Sequence, residues 1–244
     1  MTTVAMPVAA ELPAPPAVAW QGLRNVKLLD SLSDEKLADL AARCHWHRLE
    51  SGQVLHGPYC DQRLYMLSSG TLSVSSYGAN GRELILGLIA AGRFFGPMAQ
   101  EGAVSHLNVV VQAQEPSLVA SLSKEEHEAL VVSDIQIVRA VIEHLVELSS
   151  MLARRVVNMG TLSVRGRLHA QLLEQAERIG VVEDQALLSP APRQNDLALM
   201  LGTSREEVAR EMSRLTRLGL LQREGRNLRI CHVDGLRVLL EEAR

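Results

Sequence analysis

Aromatic side chains are scarce in this chain, at 3% of 244 residues. That shortage argues against the stacking platforms on which single-stranded nucleic acid is held. Cysteine is rare as well: Cys44, Cys60 and Cys231 are widely spaced and odd in number. No disulfide framework is expected from them, and a cytoplasmic setting is favoured. No apolar run approaches the roughly 18 residues of a transmembrane helix, and no basic segment precedes the apolar N-terminal stretch as it does in a secretory signal. No membrane partner is expected. A Gly-rich phosphate loop, a nucleophile elbow and a paired metal-ligand motif are all missing, so an enzyme is not expected either.

What is present is an ordinary globular composition, 47% hydrophobic and 22% charged, with a net charge of −3. Its length allows one or two domains with a real core. Pro7, Pro13, Pro15 and Pro16 break up the first stretch, so residues 1–21 read as a flexible or partly extended arm. Short helices follow from Gly22 to Ala42, with Ser33 as a cap before Asp34-Glu35-Lys36. From Arg43 to Leu122 the apolar period changes to two. Leu64–Leu67, Thr71–Ser75, Glu83–Ile89, Val109–Ala113 and Ser117–Ala120 read as strands. Gly52, Gly57, Gly70, Gly92 and Gly96 punctuate them, and Asn80-Gly81 is a strong turn signal. Many short strands at regular spacing suggest a β-barrel or jelly roll over residues 22–132, with either a ligand-sized cavity or a filled core.

Residues 133–160 are different. Ile135, Val138, Ile142, Leu145, Ser149, Leu152, Val156 and Met159 follow a 3-4-3-4 heptad with no Pro or Gly until Gly160. This predicts a long helix that pairs with a second copy as a coiled coil, Ser149 being the one polar seam residue. Packing of the same helix on its own domain is the alternative. Gly160 permits a hinge before Ser163-Val164-Arg165-Gly166-Arg167-Leu168 starts another helix.

Residues 161–244 hold the stretch that organises the rest. Leu197, Ala198, Met200 and Leu201 give one short helix an apolar face, with Asn195 or Asp196 as its N-cap. Gly202 can end that helix in a left-handed conformation. Ser204 then caps a second helix, and Glu207 completes a capping box. Val208, Met212 and Leu215 face inward, while Arg205, Glu206 and Arg210 face out. Strands over Leu218–Arg223 and Asn227–Ile230 flank Glu224-Gly225-Arg226 as a hairpin. Two helices around a glycine turn, followed by a hairpin, make a winged helix-turn-helix. Residues 193–229 hold eight Arg and five Asp/Glu, a local +3 inside an acidic chain, which suits phosphate contact.

Taken in order, the chain is α+β: an N-terminal β-roll, a long dimerisation helix and a C-terminal winged helix-turn-helix. Over about residues 22–235 it resembles the cyclic-AMP receptor protein/fumarate-nitrate regulator (Crp/Fnr) family of bacterial transcription factors. The motifs that carry the resemblance are Gly202-Thr203-Ser204-Arg205-Glu206-Glu207-Val208-Ala209-Arg210, similar to the family's G-x-S-R-E-x-V-x-R recognition helix, and Gly166-Arg167-Leu168. In the roll, Gly70–Val74, Asn80–Leu86 and Gly92-Arg93-Phe94-Phe95-Gly96 look like the family's hairpin and G-x-x-F-G turn. The resemblance implies a homodimeric, sequence-specific regulator acting on a palindromic operator in double-stranded DNA, with RNA polymerase as a partner. Arg205 and Arg210 would reach base edges or phosphates, Glu206 would accept from cytosine, and Ser204 would touch a phosphate. Arg193, Arg214 and Arg226 would contact the backbone.

The sensor departs from the family's pattern. Cyclic-nucleotide binders carry a Glu right after the F-G turn and an Arg-Ser pair before the next strand. Here Gly96 is followed by Pro97, and the later position holds Leu107-Asn108. This degenerate pocket is not expected to bind cyclic AMP in the usual way. Cyclic di-GMP held by Arg82, Arg93, Arg154, Arg155 and Arg193 is one substitute, and haem with an axial His45, His47, His56 or His106 is another. An iron–sulfur cluster is not expected, because no cysteine precedes Cys44. No metal ligand set is assigned. Oxidation sensing through Cys44 or Cys60 would need a depressed thiol pKa.

Overall fold

The structure of the chain, a computed structural model, describes residues 10–12, 19–55, 61–78, 81, 83–96 and 109–242. It divides into two compact units, residues 1–147 and 148–244.

The first unit is the β-roll. Its strands are β1 (Ala10–Leu12), β2 (His45–Leu49), β3 (Val54–Leu55), β4 (Leu64–Ser69), β5 (Thr71–Tyr77), β6 (Glu83–Ala90), β7 (Phe94–Phe95), β8 (Val109–Ala113) and β9 (Ser117–Leu122). They form two antiparallel sheets, ordered β1-β2-β9-β4-β7 and β3-β8-β5-β6. The five strands expected from period-two patterning lie in place, extended by up to two residues at their ends. Two-residue strands such as β3 and β7 have too few residues to show a period. The N-terminal arm is not wholly unstructured: Ala10–Leu12 pair with β2, Ala10 opposite Arg48 and Leu12 opposite Trp46. Without that pairing the outer backbone groups of β2 would form an open sheet edge.

Between the sheets, Leu49, Tyr65, Leu67, Leu72, Phe95, Val111 and Val119 are packed together and buried. Tyr65 and Phe95 stack with ring centroids 5.5 Å apart. Side chains of this size pack the space between the two sheets. Gly96 closes β7 with φ +123, and a Cβ there would lie 2.4 Å from the carbonyl oxygen of Arg63. Only glycine fits that approach.

A second core of this unit lies under the helices α1 (Ala19–Leu23), α2 (Asp34–Arg43) and α3 (Lys124–Ser133). Ser33 caps α2 as expected, its hydroxyl accepting from Lys36 N at 3.4 Å. Ser123 and Glu126 form a reciprocal capping box on α3.

The long helix α4 runs from Ile135 to Thr161. It buries Ile137, whereas Ile135, Ile142, Leu145, Leu152, Val156 and Met159 are exposed. Gly160 is still helical; the break comes at Leu162-Ser163, and Ser163 Oγ accepts from Gly166 N at 3.2 Å to start α5 (Val164–Ile179).

The second unit adds β10 (Ala186–Leu188), α6 (Gln194–Leu201), α7 (Arg205–Arg217), β11 (Leu221–Glu224), β12 (Asn227–Ile230) and α8 (Val233–Glu242). A three-stranded sheet, β10-β12-β11, forms the wing. Its core joins Leu168 and Leu172 of α5 to Leu197, Val208, Leu215, Leu228 and Leu236. Each such buried aliphatic contributes about 1.5–3 kcal/mol relative to exposure. That burial fixes α7 against the rest of the unit.

Candidate nucleic-acid interface

The interface begins at the turn between α6 and α7. Gly202 has φ 65 and ψ 38, the left-handed conformation that ends a helix. Thr203 N donates to Ala198 O at 2.9 Å, which satisfies one of the last carbonyls of α6. Ser204 Oγ then accepts from Glu207 N at 3.2 Å and caps α7. The Glu207 carboxylate turns back to the Thr203 hydroxyl, which is the main reason its pKa lies below the ordinary value; the Ser204 amide acts in the same direction. The expected cap of α6 is corrected. That helix starts at Gln194 with Arg193 as N-cap and no side-chain cap bond. Asn195 and Asp196 therefore fall in the first turn, where the charge of Asp196 suits the helix dipole.

Helix α7 has two distinct faces. Val208 and Leu215 are buried, and Met212 is half-buried. Arg205, Glu206, Arg210, Ser213 and Arg217 are exposed. Residues 206, 210, 213 and 217 recur at spacings of four and three, which aligns them along one outward face. The helix offers guanidinium forks, a carboxylate and a hydroxyl, the groups that pair with base edges and phosphates in a major groove. Beside it, Gly225 and Arg226 form the two-residue tip of the wing, because Glu224 pairs with Asn227. Arg226 is exposed. Arg229 forks onto Glu224 at 2.6 and 3.0 Å, so it is engaged within the wing.

Of the residues expected at DNA, Ser204, Arg205, Glu206, Arg210, Arg193 and Arg226 are all exposed. Arg214 differs: its side chain is 36% exposed and donates to Glu211 at 2.8 Å. Glu211 itself is 4% exposed. Its carboxylate also meets His169 Nε2 at 2.8 Å and Arg165 Nε at 3.4 Å. The sequence reading missed this cluster. The signal was there, since Glu211 stands three residues after Val208 and four before Leu215, within the inward stripe.

Seven of the eight expected dimer residues (Ile135, Ile142, Leu145, Ser149, Leu152, Val156 and Met159) are exposed, and Val138 is half-buried. In the sensor, Pro97, Leu107 and Asn108 lie outside the described residues, as do Arg82, His56, Cys60 and His106. Arg93 forks onto Glu147 at 2.6 and 2.7 Å, and Arg155 donates to Met200 O at 2.6 Å. Two of the five arginines considered for cyclic di-GMP are thus already engaged; Arg154 and Arg193 are exposed. His47 is buried with Nε2 2.9 Å from Ser121 Oγ, whereas His45 is exposed. Among the described residues no three His, Cys, Asp or Glu side chains converge as a metal site. Burial pushes the Cys44 thiol up to about 12, which leaves almost no thiolate for oxidation. Also among the described residues, no helix is long and apolar enough to cross a membrane.

Comparison with known proteins agrees with this arrangement. The Crp-like helix-turn-helix domain matches residues 166–239, and the cyclic nucleotide-binding domain matches residues 47–134. The probable transcriptional regulator flp of Lacticaseibacillus casei is 26% identical, over 86% of this chain and 94% of that protein. The cAMP-activated global transcriptional regulator CRP of Haemophilus influenzae is 25% identical, over 76% of this chain and 83% of that one. The structure of a CooA mutant from Carboxydothermus hydrogenoformans superposes with a TM-score of 0.74 at 21% identity, over 88% of this chain and 94% of that one.

Proposed function

The chain belongs to the Crp/Fnr family of DNA-binding transcription regulators, and on that premise we propose that it reads a palindromic operator as a homodimer whose sensor is not gated by cyclic AMP. The observation that carries the reading is the two-faced helix α7, anchored by Val208 and Leu215 and offering Arg205, Glu206 and Arg210 outward. The exposed apolar seam of α4 supports the dimer. Val156 is 71% exposed and Ile142 is 55% exposed, and side chains like these gain by burial against an identical seam. Two-fold pairing then supplies two recognition helices for half-sites about one DNA turn apart.

The Haemophilus relative is described as cAMP-activated. In this chain Pro97 follows the F-G turn, and Leu107-Asn108 stands where the family's Arg-Ser pair binds the cyclic phosphate. A buried phosphate without an arginine loses its charge partner, at a cost of several kcal/mol. Cyclic di-GMP and haem gain no support from the engaged Arg93, Arg155 and His47. Residues 1–21, 22–132, 133–160 and 161–244 would serve as arm, sensor, dimer helix and DNA-binding domain, in a cytoplasmic protein that meets RNA polymerase at its operators.

Selection of bound sequences from a random DNA pool by ligand-free protein tests the reading. Recovery of a palindrome with half-sites about one turn apart is the expected outcome. A folded protein that enriches nothing would count against it.

A further inference from the structure

The recognition helix carries one buried charge. Glu211 is 4% exposed, and side chains from two helices converge on its carboxylate. His169 Nε2 and Arg214 Nη1 both lie 2.8 Å from Oε1, and Arg165 Nε lies 3.4 Å from Oε2. His169, on α5, is 2% exposed, and its Nδ1 is buried with no hydrogen-bond partner among the described residues. An orphaned ring nitrogen is a real cost, and it is accepted where His169 supports Glu211 from below. The two arginines lie nearer the surface, with side chains 65% exposed for Arg165 and 36% for Arg214. Each turns one guanidinium nitrogen inward to Glu211. The fork geometry leaves the far edge of each free to meet an outside acceptor.

The location gives this arrangement a use. Arg214 is one helical turn after Arg210, so the two are neighbours on α7. Arg165, in the first turn of α5, is brought to the same rim by the shared carboxylate. A single buried anion therefore holds two partly exposed cations from different helices side by side at the edge of the reading face. Two guanidinium forks so placed suit one phosphate oxygen cluster.

We propose that Glu211 is a positioning residue, and that Arg165 and Arg214 form a clamp for one DNA backbone phosphate beside the reading helix. The proposal rests on the DNA-binding reading above. Glu211 does not touch DNA; it fixes where the two guanidinium groups stand.

A plain charge argument predicts the opposite sign, which makes the test sharp. A carboxylate near DNA repels it, so on charge alone Glu211→Gln should bind DNA more tightly. If Glu211 positions the clamp, the same substitution weakens binding. The experiment measures the affinity of the full-length parent, Glu211→Gln, Arg165→Gln and the double variant for the selected palindrome and for a scrambled duplex across a salt series. Melting temperatures check that each variant is folded. Glu211→Gln is expected to bind both duplexes about tenfold more weakly, and the slope of log K against log salt flattens by about one. Base preference stays as in the parent, because a phosphate contact carries no sequence. Arg165→Gln is expected to act the same way, and the double variant loses much less than the sum of the two, as members of one unit do.

Tighter or unchanged binding by a folded Glu211→Gln would overturn the clamp, leaving the cluster a structural ion pair. Should Glu211→Gln fail to fold, Arg165→Gln decides alone, since its side chain is largely exposed; an unchanged salt slope would be equally fatal. A parent that binds no duplex would sink the DNA-binding reading, and the clamp with it. A parent that binds while both variants match it would sink the clamp alone.

Discussion

In α7, Arg205, Glu206 and Arg210 point out of the protein, while Val208 and Leu215, which hold the helix, point in. In the roll, Tyr65, Leu72, Phe95 and Val111 are buried and packed together. The first arrangement leaves one helical face open to a partner, while the second turns its large apolar side chains to packing between the sheets. The chain keeps the Ser-Arg-Glu-x-Val-x-Arg pattern at Ser204–Arg210, while Pro97 and Leu107-Asn108 depart from the pattern of cyclic-nucleotide binders.

Breaking the proposed pairing of α4 should have the largest effect, because in the proposed dimer it removes the second recognition helix without touching either region. Leu152 and Val156 are 42% and 71% exposed, so Leu152→Glu/Val156→Glu should leave each chain folded. Sedimentation is expected to show a monomer. Operator affinity should fall by about 10²–10⁴, the advantage of engaging two linked half-sites.

Next in size is the core of the roll. Phe95→Ala should cost about 3–5 kcal/mol of sensor stability, read by calorimetry. DNA affinity of the folded protein should stay near the parent's. A large loss of affinity in folded Phe95→Ala would mean that the roll interior and the reading helix are coupled.

The outward face comes third. Arg205→Ala should cost about 1–3 kcal/mol of operator binding and relax preference at one base position. Equal losses on operator and scrambled DNA would make Arg205 a phosphate contact instead.

The smallest effect is a pH dependence confined to the sensor. His144 lies on Phe94, ring centroids 4.3 Å apart. Burial first, and Arg93 second, hold its pKa below 6.5, with Glu147 opposing. A pKa lower in the folded than in the unfolded chain gives stability that is complete above the unfolded value and is lost as pH falls from there through the folded value. The melting temperature of the sensor should therefore drop as pH falls below about 7.5, and His144→Phe should flatten that step. A step of the same size in His144→Phe would assign it to another group.

Regular elements were legible because burial follows their period. The strands at Leu64–Ser69, Thr71–Tyr77 and Val109–Ala113 alternate or run apolar between turns, and Gly202 and Ser204 mark their turn by a left-handed backbone and a side-chain cap. Two-residue strands carry no period, and the pairing of Ala10–Leu12 with β2 is a contact across 36 or so residues with no local sign. The start of α6 was misplaced because Asn195 and Asp196 are good caps as residue types, while the chain enters the helix at Arg193 without one. Glu211 was overlooked for a related reason. Its partners His169 and Arg165 lie on α5, and only the folded chain brings them to it. What the sequence did offer was a charged residue inside an apolar stripe.

The most direct measurement is the affinity of the full-length protein for its selected palindrome and for a scrambled duplex, with and without saturating cyclic AMP. The account predicts that the dimer discriminates the palindrome in the absence of the nucleotide and that cyclic AMP changes neither affinity. Discrimination that emerges only when cyclic AMP is added would contradict it, and would show that Pro97 and Leu107-Asn108 still leave a working nucleotide site.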